Sequence, residues 1–181
     1  MASQKLILLV DDIPDHATFY ETALRQRGYR VHVVNSGAAA QTIVRRETPD
    51  CVVIDVRLPD MTGWELCRQL KAADPALEAV RIIVLTNEVT TRCAAESARS
   101  GCHAWLAQPT LAHGLARAVD HVMAQVTDGP ASSEDALLGV TACIACGSEQ
   151  IRATLRLGTT QYYYCHACRL YWRVETDESV A

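Results

Sequence analysis

The sequence lacks several features that would each have pointed to a class of protein. No apolar run approaches the roughly 20 residues of a membrane-spanning helix. The apolar run Leu6–Val10 leads directly into Asp11 and Asp12, whereas a secretory signal would show small residues at a cleavage site. The net charge of −4 gives no electrostatic reason for the whole molecule to bind nucleic acid. Lysine is scarce, occurring only as Lys5 and Lys71. We therefore expect a cytoplasmic protein without a membrane partner.

Five apolar runs rich in β-branched residues recur through the first two-thirds of the chain. They lie at 6–10, 31–34, 51–55, 81–86 and 104–107. Segments with helical spacing of apolar residues alternate with them, and the first begins after Pro14 and ends at Gly28. Strands that are apolar throughout and alternate with helices predict a parallel sheet covered on both faces. We assign residues 1–126 to a doubly wound α/β domain.

The composition changes after this domain. Residues 127–139, TDGPASSEDALLG, combine Gly, Pro, Ser and acids, and this pattern predicts a linker. Residues 140–176 contain five of the chain's ten aromatic residues but are too few to be stable on an apolar core alone. We therefore expect a small second unit that needs an additional cross-link.

Three acidic residues and one hydroxyl residue stand at the ends of the predicted strands. Asp11 and Asp12 follow the first strand, Asp55 ends the third and Thr86 ends the fourth. Ligands of open α/β sheets bind at the carboxyl ends of the strands. Carboxylates that meet there would repel unless a cation joined them, and Mg²⁺ prefers such oxygen ligands. Taken singly, each acid is better explained as a solvated loop residue or a helix cap. Taken together, the acids are better explained as a cation site.

The order and spacing of these residues resemble a known family. The pattern consists of Asp11-Asp12, Asp55 followed by RLPDMTG, Thr86 and Pro109. It is similar to the receiver domain of bacterial two-component response regulators over residues 5–126. The resemblance implies a flavodoxin-like five-stranded parallel sheet with strand order 2-1-3-4-5.

The resemblance also implies a function for the acidic site. Asp55 would accept a phosphoryl group from a histidine kinase or a phosphotransfer protein. Mg²⁺ would be held by Asp11, Asp12, Asp55 and the backbone carbonyl of Arg57. The hydroxyl of Thr86 would bind the phosphoryl oxygen, and Trp105 occupies the position of an aromatic switch residue. Trp105 is equally well explained as a packed strand residue. Such a chain is not an enzyme, apart from its own phosphorylation and dephosphorylation.

One position departs from the family pattern. Gln108 stands directly before Pro109, where the family has a lysine that pairs with the phosphoryl group. Glutamine can donate a hydrogen bond but carries no charge, and a neutral bond is about 1–2 kcal/mol weaker than a charge-assisted one. The alternative is a pseudo-receiver that works through protein contacts without phosphorylation.

Eight cysteines divide into two groups of different expected roles. Cys51, Cys67, Cys93 and Cys102 are scattered and are expected to be small buried hydrophobes. The others form two Cys-x-x-Cys pairs separated by 18 residues, namely Cys143 with Cys146 and Cys165 with Cys168. Four thiolates so spaced can complete a tetrahedral Zn²⁺ site. His166 is then not needed as a ligand.

The tail as a whole resembles a small all-β zinc ribbon. Ile151 to Leu157 alternate apolar and polar residues, a turn follows, and a third strand is expected after Cys168. Four arginines and one acid between Cys143 and Val174, together with the tyrosines, would suit stacking on single-stranded nucleic acid. We favour a structural or protein-binding ribbon that contacts an output protein, because neighbouring acids dilute the positive charge.

Overall fold

The computed structural model describes residues 4–73, 77, 79–87, 91–124, 143, 148–157, 160–167 and 170–175. Within these residues the strands are β1 (Leu6–Val10), β2 (Arg30–Val34), β3 (Cys51–Asp55), β4 (Arg81–Thr86), β5 (Ala104–Ala107), β6 (Ile151–Leu157), β7 (Thr160–Cys165) and β8 (Leu170–Glu175). The helices are α1 (Pro14–Gln26), α2 (Gly37–Arg46), α3 (Gly63–Ala73), α4 (Thr91–Ser100) and α5 (Ala112–Ala124).

The first five strands form a parallel sheet in the order β2-β1-β3-β4-β5, as predicted. Helices α1 and α5 pack on one face, and α2, α3 and α4 pack on the other. Every residue of β1 and β3 is therefore buried. This burial explains why these strands are apolar throughout instead of at alternate positions.

The boundaries of α1 follow from two residues that the sequence identifies. Pro14 occupies the first turn, where a missing N–H costs nothing. Gly28 ends the helix with φ of +87°, a left-handed conformation that favours glycine. The N–H groups of Gly28 and Tyr29 donate to the carbonyls of Arg25 and Leu24, at 2.9 and 3.2 Å.

The three tail strands continue the same sheet. Strand β6 pairs with β7 and β7 with β8, all antiparallel. Strand β8 also pairs antiparallel with β5, placing Trp105 opposite Tyr171. Residues 127–139, predicted to be a linker, lie outside the described residues. The sequence indicates a separate unit, but in the structure the tail covers the edge of the sheet at β5. This pairing protects β5, because an exposed edge strand is open to unwanted pairing.

The scattered cysteines lie in the interior, as predicted. Cys51, Cys67 and Cys102 are fully buried and Cys93 nearly so. In the part of the chain that the structure describes, no helix has the length and apolar character needed to cross a membrane.

Candidate functional site

Asp11 and Asp55 lie at the same edge of the sheet. Asp11 directly follows β1, and Asp55 is the last residue of β3. These strands are neighbours, with Val10 paired to Ile54, so both carboxyl groups arise where parallel strands end. The exposed fraction is 2% for Asp11 and 3% for Asp55. Two of the predicted site residues are thus buried side by side.

The two carboxylate oxygens of Asp11 have different surroundings. Oδ1 accepts a hydrogen bond of 2.9 Å from the backbone N–H of Ile13. Oδ2 is buried and has no hydrogen-bond partner among the described residues. Burial raises the pKa of Asp11 to about 6; the bond from Ile13 opposes this rise, and the charge of Asp55 adds to it. A buried oxygen without a partner is unfavourable, and a cation would satisfy it.

Asp55 is buried and forms no ion pair with a lysine or arginine of the described residues. Its Oδ1 accepts a hydrogen bond of 3.0 Å from the backbone N–H of Arg57. Burial raises the pKa of Asp55, while that hydrogen bond and the charge of Arg57 oppose the rise. Among the described residues, no lysine or arginine nitrogen lies within ion-pair distance of this carboxylate. Asp55 is therefore not neutralised by a permanent ion pair.

His16 is a third member of the site that the sequence did not identify. One ligand atom from each of Asp11, His16 and Asp55 lies within 4.8 Å of the others, as in groups that hold a metal ion. The distance from His16 Nδ1 to Asp11 Oδ2 is 3.9 Å. His16 is the third residue of α1 and follows Asp12 by four positions. This short distance along the chain was the available signal that it could reach the acidic site.

Asp12 takes a different position from Asp11 and Asp55. It is exposed and is not part of the group of three. Its negative charge nevertheless contributes to raising the pKa of both Asp11 and Asp55, which places it near the site.

Thr86 and Gln108 meet at the ends of β4 and β5. Thr86 is buried, and its carbonyl accepts a hydrogen bond of 2.7 Å from the backbone N–H of Gln108. The side-chain Nε2 of Gln108 is buried and has no hydrogen bond of ordinary geometry among the described residues. The Gln108 side chain nevertheless lies close enough to the hydroxyl of Tyr20 to oppose the rise of its pKa that burial causes. The peptide bond between Gln108 and Pro109 is cis. A buried amide donor thus stands directly after β5, next to Thr86.

The loop between β3 and α3 is held by close packing and by a helix N-terminus. A Cβ atom on Gly63 would lie 2.4 Å from the carbonyl oxygen of Asp55, so only glycine fits there. The N–H of Gly63 donates to the carbonyl of Val56 at 2.8 Å. The carboxylate of Asp60 accepts from the N–H groups of Gly37 and Ala38, at 2.9 and 2.8 Å. These contacts fix the backbone that follows Asp55.

An aromatic series connects the α/β part of the sheet to the tail. Trp105 stacks on Tyr171 with ring centroids 3.8 Å apart. Tyr171 packs against Tyr164 at 4.4 Å, and Tyr164 meets the edge of His166 at 4.9 Å. Only 2% of Trp105 is exposed. The predicted switch residue is thus held against the tail.

The structure describes two of the four paired cysteines. Cys143 and Cys165 are buried in the apolar cluster that includes α5. The N–H of Cys143 donates to the carbonyl of Ser148 at 2.8 Å, and that of His166 donates to Gln150 at 2.9 Å. Both bonds connect the backbone beside these cysteines to the segment that leads into β6. Cys146 and Cys168 lie outside the described residues.

A family comparison assigns the α/β part of the chain. The model of the response regulator receiver domain matches residues 7–120. The chain therefore belongs to the response regulator receiver family. Receiver domains are signalling domains that bind Mg²⁺ at an acidic site, and Asp11 and Asp55 form the acidic cluster here.

Curated relatives match part of this chain. Transcriptional regulatory protein ZraR of Escherichia coli (strain K12) is 34% identical over 103 residues, covering 57% of this chain and 23% of that protein. DNA-binding response regulator MtrA of Mycolicibacterium smegmatis is 35% identical over 103 residues, covering 57% of this chain and 43% of that protein. The chain spans less than half the length of these relatives.

Solved structures share the fold. The signal receiver domain of a signal transduction histidine kinase from Syntrophus aciditrophicus has 29% identity and a TM-score of 0.63, covering 70% of this chain and 96% of that one. A two-component response regulator of the LuxR family from Aurantimonas sp. SI85-9A1 has 28% identity and a TM-score of 0.61, covering 67% and 86%.

Proposed function

We propose that this chain is a cytoplasmic response regulator of a phosphorelay, and that Asp55 accepts a phosphoryl group from a histidine kinase or a phosphotransfer protein. Asp11, Asp12, Asp55 and the backbone carbonyl of Arg57 would hold the Mg²⁺ ion. The observation that carries this proposal is the buried Oδ2 of Asp11, which has no hydrogen-bond partner among the described residues and lies beside a second buried carboxylate. Such a pair is unfavourable unless a cation is bound.

The geometry around Asp55 suits it as a nucleophile. The N–H of Arg57 engages Oδ1, which leaves Oδ2 to attack phosphorus. The new bond joins Oδ2 to phosphorus, while the phosphorus–nitrogen bond of the donor histidine breaks and its electron pair returns to the imidazole. Bound Mg²⁺ supplies charge neutralisation for the transferred group. The product adds roughly −1.5 to −2 charge at the end of β3.

The added charge would act on three side chains, those of Thr86, Gln108 and Trp105. The hydroxyl of Thr86 would bind a phosphoryl oxygen, and Gln108 Nε2 is a buried donor that can do the same. Its neutral hydrogen bond replaces the ion pair of a lysine and is weaker by about 1–2 kcal/mol. Because Trp105 stacks on Tyr171, a change at this end of β5 would be transmitted to the tail.

We propose that the tail is a zinc ribbon spanning residues 140–176, joined by a linker at 127–139 to a receiver at 1–126. Cys143, Cys146, Cys165 and Cys168 would bind Zn²⁺. The burial of Cys143 and Cys165 and the backbone hydrogen bonds beside them, from Cys143 to Ser148 and from His166 to Gln150, support this proposal. The ribbon would contact an output protein; nucleic acid is the alternative partner.

Intact-mass measurement after incubation with a small phosphodonor and Mg²⁺ tests the phosphorelay function. We expect the chain to gain one phosphoryl group, because among the described residues no lysine or arginine forms an ion pair with Asp55 that would block it. The variant Asp55→Asn should gain none, and Asp15→Asn, which removes an exposed carboxylate in α1, should behave like the parent. A chain that stays unmodified would instead be a pseudo-receiver.

A further inference from the structure

Among the described residues, His16 is a histidine whose ring reaches the acidic site. Its side chain is 47% exposed, so one side of the imidazole faces solvent and the other faces Asp11. The separation of 3.9 Å from Asp11 Oδ2 is too long for a hydrogen bond. The imidazole therefore lies within ion-pair distance of the carboxylate but makes no hydrogen bond to it.

We propose that His16 is a metal ligand of this receiver and that its nitrogen shifts the preference of the site from Mg²⁺ towards divalent ions that accept imidazole, such as Ni²⁺, Co²⁺ or Zn²⁺. The inference rests on the proposed metal site and is independent of phosphotransfer. It adds a nitrogen ligand to a site otherwise built from oxygen atoms.

The distances are close to those that a shared ion requires. An ion about 2.1 Å from each of two ligands can hold them at most about 4.2 Å apart. The pair formed by His16 Nδ1 and Asp11 Oδ2, at 3.9 Å, already falls within that limit. With Asp55 included, all three ligand atoms lie within 4.8 Å of one another. Three ligands spread evenly about one ion lie about 3.6 Å apart, so a contraction of about 1 Å would complete the set.

The backbone directs both ligands towards the same point. The hydrogen bond from Ile13 N–H holds Asp11 Oδ1, which leaves Oδ2 as the oxygen near His16. Pro14 begins α1 directly afterwards, and His16 falls in its first turn. The buried Oδ2 of Asp11, which has no hydrogen-bond partner in the described part of the chain, is an independent sign that this point receives a ligand.

The chemistry of the ligand atoms determines the expected selectivity. Mg²⁺ prefers oxygen ligands and keeps several waters, so it gains little from an imidazole. Divalent ions of the later transition series bind imidazole more strongly. His16 should thus strengthen binding of Ni²⁺ while leaving binding of Mg²⁺ nearly unchanged.

Parallel titrations of the full chain with Ni²⁺ and with Mg²⁺ test this inference. The dissociation constants are measured by calorimetry for the parent, for His16→Ala and for His113→Ala, which removes an exposed histidine of α5. We expect His16→Ala to weaken Ni²⁺ binding at least about tenfold and to change Mg²⁺ binding less than about threefold. His113→Ala should change neither, and this control accounts for binding to an exposed surface histidine. Binding to the cysteines is common to all three chains and so drops out of the comparison between them.

A spectroscopic readout separates direct ligation from an indirect effect. Paramagnetic Ni²⁺ should shift or broaden the ring resonances of His16, identified by their loss in His16→Ala, and Mg²⁺ should not. Equal Ni²⁺ affinity in the parent and His16→Ala would overturn the inference. Equal weakening of both ions would also overturn it, because His16 would then only shape the carboxylates. Failure of Mg²⁺ to bind the parent would count against the proposed receiver site instead.

Discussion

Asp11 is buried, and its Oδ2 has no hydrogen-bond partner among the described residues. Both features make the stability of the metal-free chain depend on pH. The pKa of Asp11 is about 6 in the folded chain and about 3.9 for an ordinary aspartate. Between these values the folded state binds more protons than the unfolded chain does. The stabilisation from the protonated form is complete below about pH 4 and is lost as the pH rises through about 6. Without metal, the site therefore opposes folding at neutral pH.

We predict that Asp11→Asn stabilises the metal-free chain by roughly 1–3 kcal/mol near neutral pH, because a neutral side chain avoids the burial of charge. Urea unfolding at several pH values measures the effect, and the loss of stability between about pH 4 and 6 should shrink in the variant. Asp15→Asn is the matched control on an exposed carboxylate. Equal stability of Asp11→Asn and the parent at neutral pH would contradict the prediction.

The residues of the acidic site differ in how well the sequence predicts them. Asp11 and Asp55 follow from apolar strands that end on acids, because parallel strands bring their carboxyl ends together. His16 does not follow, since its contribution depends on the turn made by Ile13 and Pro14 into α1. The unsatisfied amide of Gln108 is likewise a property of packing, although the substitution itself is visible in the sequence.

At the scale of elements, the loop between β3 and α3 controls the position of Asp55. Gly63 approaches the backbone of Asp55 and Val56 so closely that a Cβ atom would lie 2.4 and 2.9 Å from their atoms. Asp60 caps the first N–H groups of α2. These hydrogen bonds lower the pKa of Asp60. The loop thus joins α2 to the end of β3.

We predict that Gly63→Ala destabilises the chain by about 2–3 kcal/mol and slows phosphorylation of Asp55, because the clash is with backbone atoms that cannot move aside cheaply. Gly28→Ala is the matched comparison: nothing lies within 4 Å of its Cβ position, and only its φ of +87° is unfavourable. That variant should lose about 1 kcal/mol and keep normal phosphorylation.

Denaturant unfolding and the rate of mass gain with a phosphodonor measure the two effects. A Gly63→Ala chain that is phosphorylated at the parent rate would show that the loop backbone does not position Asp55. Equal losses of stability in the two variants would show that the close approach of Gly63 adds nothing to the cost of replacing a glycine.

Sequence pattern predicts the first five strands and five helices well. Strands β1, β3, β4 and β5 begin and end where the apolar runs do. Pro14 and Gly28 set the limits of α1. The pairing of β8 with β5 was not foreseen, because it joins residues more than 60 positions apart and no local signal encodes it. The sequence therefore predicts the strands of the second unit but not their position beside β5.

At the scale of the whole molecule, the described strands of the two regions form one eight-stranded sheet. Tail residues Cys143 and Cys165 share an apolar cluster with α5, and Tyr171 belongs to the cluster on the opposite face. The tail therefore contacts both layers that flank β5. If zinc supplies most of its folding energy, on the order of 10 kcal/mol, removing zinc should release β8.

We predict that chelation of zinc lowers the hydrogen-exchange protection of the amides in β5, because β8 would no longer pair with them. Exchange measured by mass spectrometry on the Ala104–Ala107 segment, with and without chelator, checks this. Tyr171→Ala is the comparison variant: it removes the stack on Trp105 and should lower the same protection while zinc stays bound. Unchanged protection after complete metal removal would contradict a metal-dependent tail.

The occupied edge of β5 sets a condition on any partner that adds a strand there. Such a partner must compete with a segment of the same chain, and a tethered segment acts at an effective concentration on the order of millimolar. A free peptide at micromolar levels would be outcompeted unless its intrinsic affinity were about a thousandfold higher. A partner can therefore add a strand at this edge only if it has that higher affinity or first weakens the pairing of β8 with β5.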